Sequence, residues 1–157
     1  GYSIACAPIV GFHFGAGNRD EMHNILKKSV ILMSITGTAM ALCAFLVARP
    51  LATIFVGYNA ELCDLTTHAF RLAAPAYILT GLNIFASSFF TALNNGGVSA
   101  TISFLRTLVF QSASVLLLPL LVGVDGIWYS APFAEVVAFT ISLIFLLTKN
   151  KKYHYLK

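Results

Sequence analysis

An all-α membrane protein, a polytopic bundle of spanning helices, is what three properties of this chain require. First, its 157 residues are 58% hydrophobic and only 10% charged, with a mean hydropathy of +0.82. Soluble domains carry roughly 25% charged residues, so a surface this poor in charge belongs in lipid. Second, the apolar residues are gathered into runs of about 20, the length that carries a helix across the hydrocarbon core. Third, the basic residues fall between alternate runs, as they do when a chain crosses a membrane repeatedly.

Taken in order, the runs give four complete spans, at about 29–48, 70–93, 98–122 and 126–148, and part of a fifth at 1–17. Residues 29–48 and 72–93 contain no charge; Arg106 is the one charge in 98–124, and Glu135 the one charge in 126–148. The opening segment has no basic start and no small-residue cleavage site, so it does not read as a signal peptide. It reads as the end of a span that begins outside this chain. In the first connection, Gly17 suits the end of a helix. Asn18 with Glu21 three residues on resembles a capping box that starts the next one. Met22, Ile25 and Leu26 share a face, which fits either a short interfacial helix or an ordinary helix start. In 29–48, Ser34, Gly37, Ala41, Ala44 and Ala48 form a stripe of small residues that lets a neighbour approach closely. Arg49-Pro50 is expected to stop that helix, and Gly57-Tyr58-Asn59 reads as a turn.

The third span holds Pro75 near one end. Thr80, Asn83, Ser87 and Thr91 fall on one of its faces, and lipid cannot satisfy such a stripe. It lines a wet cavity or bonds to a neighbouring helix. Asn94-Asn95-Gly96-Gly97 is a tight turn. At a period of 3.6 the next span carries two polar stripes, Ser99/Ser103/Arg106 and Thr107/Gln111/Ser114. The last begins at Asp125-Gly126, with Trp128 and Tyr129 where interfacial aromatics sit. Trp128, Pro132, Glu135, Phe139 and Ser142 form one stripe along it. The tail, 149–157, is polar, with Tyr153 and Tyr155 as interface anchors.

Seven of the ten Lys and Arg residues lie in the first connection and the tail, which alternate crossing puts on one side. The positive-inside rule makes that side cytoplasmic. The net charge of +4 is thus a matter of topology, and without a basic aromatic stripe it is no nucleic-acid footprint. Cys6, Cys43 and Cys63 form no paired motif. His13, His23, His68 and His154 lack metal-ligand spacing.

Arg106 and Glu135 are the candidates for chemistry. An ionised group at bilayer depth costs about 2.5–3.5 kcal/mol or more, so it is rarely idle. Arg106 lies eight residues past Val98, about 12 Å from the inner end at 1.5 Å per residue. Glu135 lies nine residues past Gly126 on an antiparallel helix, which in a core of roughly 30 Å puts it about 16 Å from the same side. The two charges therefore sit at similar depth. They form a shared polar network if the helices are neighbours, either as an orienting ion pair or as a centre where Glu135 exchanges a proton.

Pro8-Ile9-Val10-Gly11-Phe12-His13-Phe14-Gly15-Ala16-Gly17-Asn18 resembles the helix end "QP-I-x-G-Y-N-Y-G-A-x-N" of multidrug and toxic compound extrusion (MATE) transporters. Ala7 stands where Gln is common, and His13 where Asn is common. Thr91-Ala92-Leu93-Asn94 is similar to that family's "F-x-Q-A-x-G". Phe104-Leu105-Arg106, Pro119, Val124-Asp125-Gly126-Ile127-Trp128 and Ala131-Pro132-Phe133-Ala134-Glu135 resemble the run that ends its C-terminal lobe. Order and spacing agree over almost the whole chain. The resemblance implies a partial C-terminal lobe of a twelve-helix exporter, partnered by the N-terminal lobe of the same protein in the cell membrane, with a cytoplasmic C-terminus. It implies expulsion of amphipathic organic cations by alternating access, with H+ or Na+ as coupling ion and no other cofactor. Arg106 and Glu135 fall on matching motif positions. Asn83, with Thr80, Ser87 and Gln111, becomes a candidate for the cavity wall. Some members carry a further carboxylate in the helix equivalent to 72–93. This chain has none there, which shifts ion coupling toward the other lobe. A flippase for lipid-linked oligosaccharides and a small structural membrane protein are the competing readings. An intramembrane enzyme is disfavoured, because no nucleophile–base pair is recognisable.

Overall fold

The computed structural model describes residues 1–155. They form helices α1 (Tyr2–Gly15), α2 (Arg19–Val56), α3 (Ala60–Ala73), α4 (Ala76–Ala92), α5 (Gly96–Phe104), α6 (Gln111–Val122) and α7 (Asp125–Tyr153), with a π-helical segment, Leu105–Phe110, joining α5 to α6. Three of the resulting rods are long and apolar enough to cross a membrane: α2, the continuous α5–α6 unit, and α7. A fourth, α3 with α4, qualifies as a broken span bent by 44°. Their outward surfaces are strongly apolar, with Leu116, Leu120 and Leu121 more than 70% exposed, as lipid-facing helices require.

Asn18 accepts the backbone N–H of Glu21 at 3.2 Å, and from that cap α2 runs for 38 residues without interruption. Met22 and Leu26 are buried in the core, so the start of α2 belongs to the bundle. Pro50 does not end the helix, contrary to expectation. It removes one backbone bond, a cost of about 3 kcal/mol in a helix interior. Ala48 and Ala52, fully buried on either side of it, hold the helix in register. The Thr53 hydroxyl, 3.7 Å from Cys63 Sγ, links this last stretch to α3. The chain turns instead at Gly57-Tyr58-Asn59, where Asn59 caps α3 by accepting the Leu62 N–H at 3.1 Å.

The expected span at 70–93 is also divided differently. Ala74-Pro75 separates α3 from α4, and Pro75 stands at the start of α4, where a missing N–H is not needed. The small-residue stripe of α2 packs on α4 as its spacing predicts. A Cβ built on Gly37 would lie 2.8 Å from the carbonyl oxygens of both Tyr77 and Ile78. Asn95 caps α5, and Gly126, at the start of α7, lies against the Leu118–Pro119 backbone of α6.

At the end of the bundle that holds the first connection, Val10, Met22, Leu26, Phe89, Phe90 and Leu93 belong to one buried hydrophobic cluster. Tyr155 belongs to this cluster. The expected interface anchor is completely buried, because His154 takes a left-handed conformation (φ 52°, ψ 45°) that turns the chain back after α7. Leu156 and Lys157, the end of the expected tail, lie outside the described residues.

Candidate functional site

Three rods converge where the sequence leaves its isolated charges. The π segment supplies Arg106, α7 supplies Glu135 and α4 supplies Asn83. Arg106 Nη2 donates to Glu135 Oε1 at 2.8 Å. Arg106 Nε lies 3.0 Å from Oε1 and 3.1 Å from Oε2. This fork geometry couples two charges far better than a single contact does. Asn83 donates from Nδ2 to Glu135 Oε2 at 2.7 Å and to the Glu135 backbone carbonyl at 3.0 Å. The Ser142 hydroxyl, two turns beyond Glu135 on α7, donates to Asn83 Oδ1 at 3.1 Å.

These contacts determine one another. An ionised carboxylate only accepts hydrogen bonds, so Asn83 must turn its NH₂ toward Glu135. Its oxygen then faces Ser142, and the amide has no second orientation of equal merit. Asn83 and Ser142 are fully buried. The side chains of Glu135 and Arg106 are 11% and 23% exposed, so the carboxylate is enclosed while part of the guanidinium stays open. Losing one partner of such a pair costs about 3–5 kcal/mol, because the other charge is left buried alone.

The π segment sets the position of Arg106. Its wider turn closes with the Gln111 N–H donating to the Arg106 carbonyl, which stacks Gln111 one turn beyond Arg106. A uniform period of 3.6 assigns them to different stripes; the extra residue in the π turn, a feature frequent at functional sites, merges them. Gln111 is half-buried.

The other candidates separate from this centre. Ser87, one turn from Asn83, bonds to the hydroxyls of Ser99 at 2.9 Å and Ser103 at 2.8 Å, and Thr91 meets Ser99 at 2.7 Å. This hydroxyl cluster ties α4 to α5. Thr80 returns its hydroxyl to the Ala76 carbonyl of its own helix. Ser142 is the member of the network that its residue type did not single out, although it lies on the Glu135 stripe.

A family model described as MatE matches residues 1–115, nearly three-quarters of the chain. The matched stretch contains Thr80, Asn83, Ser87, Arg106 and Gln111, while Glu135 lies beyond it. No curated protein and no solved structure matches the chain.

Proposed function

The chain belongs to the MatE family of membrane transporters, and from that premise we propose that it provides C-terminal-lobe helices of a secondary active exporter. The exporter moves amphipathic organic cations out of the cell in exchange for H+ or Na+, by alternating access between this lobe and the N-terminal lobe of the same protein. The observation that carries the reading is the Arg106–Glu135–Asn83 centre. An ion pair at mid-depth, reached by three separate rods, is costly in lipid and is typical of substrate and ion pathways. The basic residues of the first connection and the tail support a multi-pass protein of the cell membrane with a cytoplasmic C-terminus.

The test is efflux of a fluorescent lipophilic cation from cells expressing the full-length gene. Wild type is compared with Glu135→Gln and Arg106→Ala, and membrane levels are measured in parallel. Efflux is expected to fall at least tenfold in both variants at normal membrane levels. Unchanged efflux would reduce the pair to helix packing. A wild type without efflux would count against export of organic cations and favour lipid-linked oligosaccharide flipping or another substrate class.

A further inference from the structure

Arg106 is only half used by the ion pair. A guanidinium carries five N–H groups arranged as two usable forks. The Nε–Nη2 edge is committed to Glu135. The opposite edge, formed by Nη1 and the second N–H of Nη2, has no partner among the described residues, which leaves three N–H groups unclaimed. Arg106 is also the more exposed member of the pair, at 23% against 11% for Glu135. Its position eight residues past Val98 puts it about 12 Å into a hydrocarbon core roughly 30 Å thick. Lipid tails offer no acceptor at that depth, and headgroup phosphates do not reside there. Unmatched donors in such a place turn to water, a ligand or a further helix of the protein, and not to lipid. One π turn further on, Gln111 has a side-chain amide with no partner among the described residues, so it adds a second neutral donor and acceptor on the same stripe.

We propose that the free edge of Arg106, with Gln111, receives an anionic oxygen group, a carboxylate or phosphoryl, on the transported amphiphile. This rests on the exporter reading and narrows it. The preferred substrates are zwitterionic amphiphiles, whose acceptor docks here while Glu135 stays neutralised by the inner edge of the same guanidinium. The open side of the centre carries the Arg106 charge and its free N–H groups beside the neutral Gln111 amide, so an organic cation with no acceptor gains little from it. Arg serves this role and Lys does not, because a point charge cannot hold Glu135 and a second planar oxyanion on two edges at once.

The probes are a rhodamine with a free carboxylate and its methyl ester, which differ in that one group. Binding to the purified full-length protein in detergent is followed by fluorescence polarisation, and transport is followed separately in proteoliposomes. Wild type is expected to bind the acid at least fivefold more tightly than the ester. Arg106→Lys and Gln111→Leu are each expected to bring that preference down toward one, a loss within reach of a single hydrogen bond to a charged group. Loss of folding would weaken acid and ester together and leave their ratio alone, so Gln111→Leu keeps the test valid if Arg106→Lys expresses poorly. Equal wild-type affinity for acid and ester overturns the inference, as does a preference unchanged in both variants. A clear acid preference in binding, with neither dye transported, would sink the exporter reading and leave the oxyanion site standing.

Discussion

Asn83 controls how Glu135 is presented. With Ser142 holding its oxygen, the amide points both N–H groups at Glu135, one to the carboxylate and one to the backbone. Asn83→Leu keeps the branched shape but withdraws one of the two donors on Glu135 Oε2, the donor on the Glu135 backbone carbonyl and the acceptor of the Ser142 hydroxyl, which costs about 1–3 kcal/mol. Ser142→Ala removes one neutral bond, worth about 1 kcal/mol. Because the two residues act through each other, the double variant is expected to lose less than the sum of the singles. Thermal unfolding of the full-length protein in detergent measures all three. Strict additivity would mean that Ser142 does not orient the amide. Sequence reasoning reached Arg106 and Glu135 because depth follows from counting residues along antiparallel rods. It missed the alignment of Gln111 with Arg106 because a π turn changes the period, and nothing in Leu105–Phe110 announces one. Ser142 lay on the right stripe, but one serine among several hydroxyl residues carries no mark of the partner it will meet.

At the level of helices, local rules held where they concerned close approach and failed where they concerned interruption. The small-residue stripe of α2 found its neighbour in α4. Gly37 sits so near the Tyr77 and Ile78 carbonyls that even a methyl group must push the two rods apart. Gly37→Ala is expected to destabilise by about 1–3 kcal/mol, the usual cost of overpacking a tight contact. Gly15→Ala serves as the control, since nothing lies within 4 Å of a Cβ there. Helix propensity alone makes that change neutral or slightly favourable. Equal effects at the two sites, read as melting temperature in detergent, would contradict the close packing of α2 on α4. Pro50 shows the opposite case. Its local penalty is real, yet the packing of the stretch around it, with Ala48 and Ala52 fully buried, keeps the helix continuous, and no property of the Arg49-Pro50 pair discloses that packing. Pro75, the same residue type, does end a helix.

Across the whole molecule, Tyr155 and its neighbour Tyr153 draw four helices together at the end opposite the α2–α3 turn. Tyr155 is reached after the left-handed turn at His154, and its ring meets Phe89 of α4 edge-on at 5.2 Å. Its hydroxyl donates to the Leu146 carbonyl of α7 at 2.6 Å. The His23 ring of α2 lies 3.1 Å from its backbone carbonyl. Its neighbour Tyr153 meets Phe14 of α1 at 5.7 Å. A lysine-rich tail read locally looks like a polar end with its tyrosines at the interface, and only the reversal at His154 brings Tyr155 inward. Tyr155→Ala empties a fully enclosed aromatic site and is expected to cost on the order of 3 kcal/mol. Tyr155→Phe keeps the ring and gives up one hydrogen bond, about 1 kcal/mol. The phenol lies beyond the end of α7. Burial, with a smaller contribution from Tyr153, raises its pKa above the ordinary value of about 10. The folded protein therefore holds this proton more tightly than the unfolded chain does. The advantage is complete below about pH 10 and is lost as pH climbs past that value. Phenylalanine has no such proton. The stability gap between wild type and Tyr155→Phe is thus expected to be constant up to about pH 9 and to narrow above about pH 10. Denaturant unfolding of both full-length proteins across that range measures it. A gap that stayed constant above about pH 10 would mean that the phenol ionises as freely as in the unfolded chain, and that the tail is not fastened inside the bundle.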